Sequence, residues 1–189
     1  MDKSEIFKVC LSIYNMDYDS VRGGVEEMFC ENFLQPSIDV CALIKPWPFL
    51  IRSHLFTDKE RVKENNEFKS YRGLEYAYAK PDDMAYPYLI NGKYDEDSDS
   101  DESYIYFSKE NPRVDYIKAL DYSELSDIPS LYGMLIASQL AIQIGPMIAS
   151  DSNAISKAAT LYQMYQAALT EAYMKVKRKK NPDKDWFVI

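Results

Sequence analysis

The sequence predicts a mainly α protein: a helical bundle with a small antiparallel β insertion, an arm, in its middle third. Three observations lead there. Apolar residues recur every three or four positions in the first and last thirds, as on one face of a helix. Between them lie short Tyr-, Ile- and Phe-rich runs divided by turn residues, the pattern of strands. The chain has 189 residues, enough for one domain with an arm. The expected organisation is N-terminal bundle helices over 1–70, the β arm with an acidic loop over 71–122, long C-terminal helices over 123–180, and an extended tail over 181–189.

Ser4 to about Ile13 reads as a short helix capped by Ser4, with Ile6, Val9, Cys10 and Ile13 on one face. Asn15 to Ser20 is polar and turn-like. Val21 to about Lys45 is helical again, with Val25, Met28, Phe29 and Phe33 forming a stripe that Ile38, Cys41, Ala42 and Lys45 continue. Pro36 lies inside that pattern, so a break or kink is expected near Gln35, with Ser37 capping a second piece. Pro46-Trp47-Pro48-Phe49 ends the segment. Leu50 to Ser70 is charged and mixed, and Lys59 to Asn66 reads as loop or exposed helix.

Strand-like residues begin after Tyr71: Tyr76 and Tyr78, then Tyr88-Leu89-Ile90, then Tyr104 to Phe107, then Val114 to Ile117. Asn91-Gly92 is a hairpin-turn signal, because both residues tolerate positive φ. Ser126 or Asp127 is expected to cap the clearest helix, with Pro129 in its first turn. Ile128, Leu131, Tyr132, Leu135, Ile136, Leu140, Ile144 and Ile148 give it a broad apolar face, and Gly145-Pro146 should distort its end. Ser150-Asp151-Ser152 then caps a final helix in which Ile155, Ala158, Tyr162, Tyr165, Leu169, Tyr173 and Val176 keep a 3.6-residue period. Asn181-Pro182 stops it.

Lys plus Arg is 22 and Asp plus Glu is 30, a formal charge of −8. An acidic chain is a poor general binder of nucleic acid, since phosphate contacts need cations, although it can surround a duplex without gripping it. Cys10, Cys30 and Cys41 stand at no metal spacing; Cys10 and Cys41 fall within apolar patterns and read as buried free thiols, and the protein reads as a cytosolic product with reduced thiols. The N-terminus lacks the apolar core of a signal peptide, and no apolar run reaches the roughly 18 residues of a membrane span. No membrane partner and no cofactor are expected.

Candidate chemistry is sparse. The sole histidine, His54, reads as a loop residue, and no Ser or Cys stands in a nucleophile motif. Gly23-Gly24 is a turn or a close helix approach, not a phosphate loop. The run Asp95 to Glu102 has alternating Asp residues but lacks the glycine and the twelfth-position Glu of a calcium loop, so it reads as a solvated, dispensable loop tip. Gln139, Gln143, Gln163 and Gln166 are placed to hydrogen-bond between helices or subunits, or to face solvent. These features predict a non-enzymatic protein. The tail is the unusual feature: Trp186, Phe187, Val188 and Ile189 follow a polar spacer and want either a groove on a partner or their own bundle. Lys177, Arg178, Lys179 and Lys180 complement the helix C-terminal dipole and are available to pair with acids on that partner.

Pro46-Trp47-Pro48-Phe49 closing an early helix, followed by Leu74 to Asp83, resembles the head-to-tail adaptor proteins of tailed bacteriophages. These include the tail tubular protein A type and the ring proteins of crAss-like phages. The motif residues are Trp47, Phe49, Tyr78, Pro81, Asp83 and, opening an Ala-rich helix, Pro129. The likeness covers roughly Ser20 to Val176. It departs at Lys80, at the acidic loop and at the tail. The resemblance implies a homo-oligomeric ring, usually dodecameric, beneath the portal protein. Such a ring extends the DNA conduit, offers the next tail or ring protein a binding surface, and performs no catalysis. The alternative from composition alone is an acidic interaction protein, a DNA mimic or inhibitor.

Overall fold

The computed structural model describes residues 1–57, 59–61, 74, 76–90, 98–100, 103–149 and 152–180. The chain divides into a helical unit, Met1–Ile44 with Leu120–Ile189, and a β unit, Lys45–Ala119. The mainly α expectation is thereby corrected to a mixed α/β fold, because the β segments form two three-stranded antiparallel sheets with a core of their own.

In the helical unit the order is α1 (Lys3–Ser12), α2 (Tyr18–Val21), α3 (Val25–Leu43), a 3₁₀ helix (Tyr122–Asp127), α4 (Ser130–Ile148) and α5 (Ser152–Lys180). The central element is α4, which packs against α5, α3 and α1. Its buried residues include Tyr132, Leu135, Ile136, Leu140 and Ile144. It is the one described helix long and apolar enough to cross a membrane by length and composition. That corrects the expectation that no stretch qualifies; 56% of the relevant window is buried within the protein, as in a core helix.

Three expected boundaries move. The cap of α1 is Asp2, not Ser4: its carboxylate accepts from the Glu5 N–H and the Glu5 side chain accepts from the Asp2 N–H. Pro36 neither breaks α3 nor makes Ser37 a cap. Pro36 and Asn32 lie on the exposed side, where water can satisfy the carbonyl that loses its partner. The Ser37 hydroxyl instead bonds to the Phe33 carbonyl and Gln143 Oε1, each at 2.8 Å, which ties α3 to α4. The buried face of α3 is Cys30, Leu34, Ser37, Ile38, Cys41 and Ala42, whereas Val25 and Met28 are exposed. Neither Ser126 nor Asp127 caps α4, because both belong to the 3₁₀ helix; Pro129 occupies the cap position. Pro146 sits within the last turn of α4, which runs on to Ile148.

The β unit contains β1 (Ile51–Leu55), β2 (Tyr76–Ala79), β3 (Met84–Ile90), β4 (Ser98–Ser100), β5 (Tyr104–Phe107) and β6 (Arg113–Lys118). One sheet has the order β1-β6-β3, the other β2-β5-β4, and every pairing is antiparallel. Phe56, Tyr78, Met84, Ile105, Phe107, Val114 and Tyr116 come from both sheets and form the shared core. Ala77 and Tyr106, on the alternate positions, pack with Leu74 on the other face of the second sheet. The sheet structure begins at Ile51, within the stretch read as helical or loop. The acidic run is not wholly a loop tip either, since Ser98–Ser100 pairs with β5. Asn91-Gly92, most of the acidic run, the Ser150-Asp151 cap and the tail lie outside the described residues.

Candidate functional site

The residues that carry the resemblance are positioned by turns. Trp47 is 1% exposed and stacks on Phe49 with ring centroids 6.3 Å apart. The Leu50 N–H donates to the Trp47 carbonyl at 2.8 Å, so the Pro-Trp-Pro-Phe run closes a turn that delivers the chain into β1. The Lys45 ammonium lies 5.5 Å from the Trp47 ring, a cation–π contact, and burial lowers the pKa of that amine from its ordinary value.

Tyr78 is fully buried among Phe56 and Phe107, with centroids at 4.9 and 5.7 Å. Its hydroxyl accepts the Asn111 N–H at 3.0 Å. Asn111 has φ +49°, a left-handed conformation that Asn tolerates better than most residues. Tyr78 thus fixes from within the tight connection between β5 and β6.

Pro81 and Asp83 form the turn entering β3: the Met84 N–H donates to the Pro81 carbonyl at 2.9 Å. The Asp83 carbonyl accepts from Ala119 N–H at 2.7 Å, and its carboxylate accepts the Tyr116 phenol proton at 2.7 Å. Burial, then this hydrogen bond and the Asp83 charge, push the Tyr116 pKa up to about 12, against a smaller opposing pull from Arg52. Asp83 therefore joins the start of β3 to the end of β6.

No protein-family model and no curated protein matches this chain.

The motif residues of the β unit, Trp47, Phe49, Tyr78, Pro81 and Asp83, close its turns and strand ends. Pro129 belongs to the helical unit, where its carbonyl accepts from Tyr132 and Gly133 N–H and starts α4. His54 is in strand β1, not a loop: its Nε2 lies 2.7 Å from Glu60 Oε1, and its ring meets Phe56 edge-on at 4.6 Å. The other Glu60 oxygen accepts from both the Thr57 N–H and hydroxyl, and these bonds, led by the hydroxyl, hold the carboxyl below its usual pKa. Both oxygens are engaged in a turn, which suits structure better than proton transfer. Cys10 and Cys30 lie against each other, and burial raises the thiol pKa values of Cys10 and Cys41, so those thiols are neutral at physiological pH and weak nucleophiles. Among the described residues no three of His, Cys, Asp and Glu converge to hold a metal.

Sequence reasoning missed Tyr116 as the partner of Asp83, Asn111 as the partner of Tyr78, and Phe56 as the ring between the sheets. Tyr116 lies in a run already read as a strand, but its pairing across sequence has no local signal. Lys177 to Lys180 belong to the last turn of α5, while Trp186, Phe187, Val188 and Ile189 lie outside the described residues.

Proposed function

We propose that this chain is a structural head-to-tail adaptor of a tailed phage, acting without catalysis. In this reading it is made in the host cytoplasm and forms a ring, a dodecamer by the resemblance, at the head–tail junction of the virion. The ring extends the DNA conduit below the portal protein and gives the next tail or ring protein its attachment surface. There is no membrane partner.

The observation that carries the reading is the order of the motif residues. Trp47, Phe49, Tyr78, Pro81 and Asp83, which bear the resemblance, also close the turns and strand ends of the β unit, so their succession along the chain is tied to one architecture. The charge of −8 supports it physically. Each cation on a conduit wall would add affinity for phosphate, whereas an acidic or neutral wall lets duplex DNA slide without specific binding.

Trp186, Phe187, Val188 and Ile189 dock on the portal in this reading, with Lys177, Arg178, Lys179 and Lys180 pairing with its acids. Burial of such apolar side chains is worth on the order of 1.5–3 kcal/mol each before ordering costs, and a ring multiplies weak contacts by avidity. The test is a chain truncated after Asn181, assayed for particle assembly and by circular dichroism. A folded truncation that fails to join the portal is the expected result. Normal assembly would remove the tail as anchor, and absence of the protein from purified virions would remove the adaptor reading. The same net charge favours one alternative, an acidic mimic that competes with DNA for a protein target. A monomer or dimer that displaces DNA from such a target would establish it.

A further inference from the structure

The outer strands of the β1-β6-β3 sheet are β1 and β3, and they are unlike. Strand β3 is blunted: it contains Pro87, and its register with β6 shifts twice. Strand β1 has no proline and keeps register with β6 from Ile51 to Leu55. The Lys118 N–H donates to the Leu50 carbonyl and the Phe56 N–H to the Pro112 carbonyl. Backbone groups in an antiparallel pair alternate in direction. Leu50, Arg52, His54 and Phe56 therefore turn theirs toward β6, while Ile51, Ser53 and Leu55 turn theirs to the open edge. Among the described residues, the edge-facing N–H and carbonyl groups of Ser53 and Leu55 meet no partner. Both residues are exposed, Leu55 to 61%. On the same edge the Phe49 and Ile51 carbonyls accept from the Arg52 guanidinium, at 3.3 and 3.2 Å.

We propose that β1 pairs antiparallel with β1 of a second copy of this chain, about a two-fold axis at Ser53. The two sheets then continue into one. The proposal concerns the isolated chain in solution and stands independently of the adaptor reading. Alternating open N–H and carbonyl groups call for an extended strand, and three features select β1 itself as that strand. The register is self-complementary: with Ser53 opposite the partner's Ser53, Ile51 lies opposite the partner's Leu55 and Leu55 opposite the partner's Ile51. All these residues face the edge, so they exchange about six backbone hydrogen bonds. The side chains match, because each Ile51–Leu55 pair is an apolar cross-strand contact on one face. The charges match on the other face. There Arg52 lies opposite the partner's His54, whose Nε2 is 2.7 Å from Glu60 Oε1. Among the described residues Arg52 bonds to the two edge carbonyls and to no carboxylate. Pairing brings it to the partner's Glu60 and frees the Ile51 carbonyl for the new ladder.

A five-residue edge is small beside the ~800 Å² per partner of a standard interface, so association is weak and is sought up to about 1 mM protein. The Arg52–Glu60 contacts make it salt-sensitive.

The experiment follows the native mass of the full chain and the hydrogen exchange of the Ser53 and Leu55 amides over a range of concentration, with circular dichroism of each variant. In the wild type the chains are expected to pair, and the two amides to exchange at least about tenfold more slowly as they do. Ser53→Pro removes an edge-facing donor and leaves the bonds to β6 intact; it is expected to halve the assembled mass. Leu55→Lys, at an exposed side chain, keeps the fold and weakens pairing at least about tenfold, which tests the contact even if the proline variant unfolds. Arg52→Glu sets like charge against the partner's Glu60 and weakens pairing more at low salt than at high. A wild type that stays monomeric at every concentration, or an assembly whose mass is unchanged in folded Leu55→Lys, overturns the proposal. So does exchange at Ser53 and Leu55 that is the same in paired and unpaired protein. Protection of those amides in the monomer that disappears on truncation after Asn181 assigns the edge to the chain's own tail and also overturns it.

Discussion

Gly145 lies in the last turn of α4, where Tyr14 and Ile155 close over it. A Cβ there would stand 2.5 Å from Tyr14 Oη and 3.0 Å from Ile155 Cγ1, well inside ordinary contact. Tyr14 donates its phenol proton to the Ala141 carbonyl, a bond that holds α1's end to α4. Gly145→Ala gains roughly 1 kcal/mol of helix propensity. Against that, the phenol must move, losing a hydrogen bond worth about 1 kcal/mol, and the crowding costs about 1–3 kcal/mol. The net expectation is a loss of about 1–3 kcal/mol. In a Tyr14→Phe background the closest oxygen is gone, leaving Ile155 Cγ1 at 3.0 Å and the nearest ring carbon at 3.3 Å. Gly145→Ala should then cost less than in the wild type, by about 1 kcal/mol, which is the coupling between the two substitutions. Urea unfolding followed by far-UV circular dichroism on the four proteins of the cycle measures this. Additivity within about 0.5 kcal/mol would show that the close approach is not what makes position 145 a glycine.

Alkaline stability is a second expectation. Tyr14, Tyr116 and Tyr162 are pushed up to about 12, in each case first by burial. The unfolded chain ionises its tyrosines first, near pH 10. Stability is therefore complete below about pH 10 and is lost as pH rises toward 12; a denaturation midpoint that stays level from pH 9 to 11.5 refutes it. Phe56→Ala, at the junction of both sheets, should cost about 3–5 kcal/mol, read as loss of the β unit's unfolding transition with the helical transition kept. Asp2→Ala removes half of the capping box and should lower stability by about 1 kcal/mol, whereas Asp2→Ser should recover most of it.

Long helices were legible because their apolar period persists over many turns: Ile155 to Val176 could be read as little else, and the described α5 spans it. Strands β2, β5 and β6 were legible from runs of Tyr, Ile and Val. Strand β1 was not, because Ile-Arg-Ser-His-Leu is an edge strand whose Arg52, Ser53 and Leu55 are exposed, so it shows no alternation. Pro36 misled because a proline's cost depends on whether the lost carbonyl partner faces water, which only packing decides. The stripe from Val25 to Lys45 was found, but periodicity cannot say which of two apolar sides of a helix is inside. The motif residues were visible in the sequence; Tyr116 and Asn111, which hold Asp83 and Tyr78, come from more than 30 residues away and are joined to them only by the sheet register.

The insertion of the β unit between Ile44 and Leu120 bears on how the chain reaches this fold. Helices α3 and α4 pack closely, yet 86 residues separate Leu43 from Ser130, and closing such a loop as a random chain costs on the order of 4 kcal/mol of entropy. The β unit removes much of that cost by its own topology. Strands β1 and β6 are its first and last, they pair in register from Ile51 with Ile117, and the Lys118 N–H donates to the Leu50 carbonyl at 2.8 Å. Once folded, the unit brings its own two ends side by side and returns the chain almost to where it left. The interruption behaves as a short clasp in the helical unit. Its pairing should precede the docking of α4 during folding, and a tight turn joining residue 49 to residue 119 should leave the helices able to assemble alone.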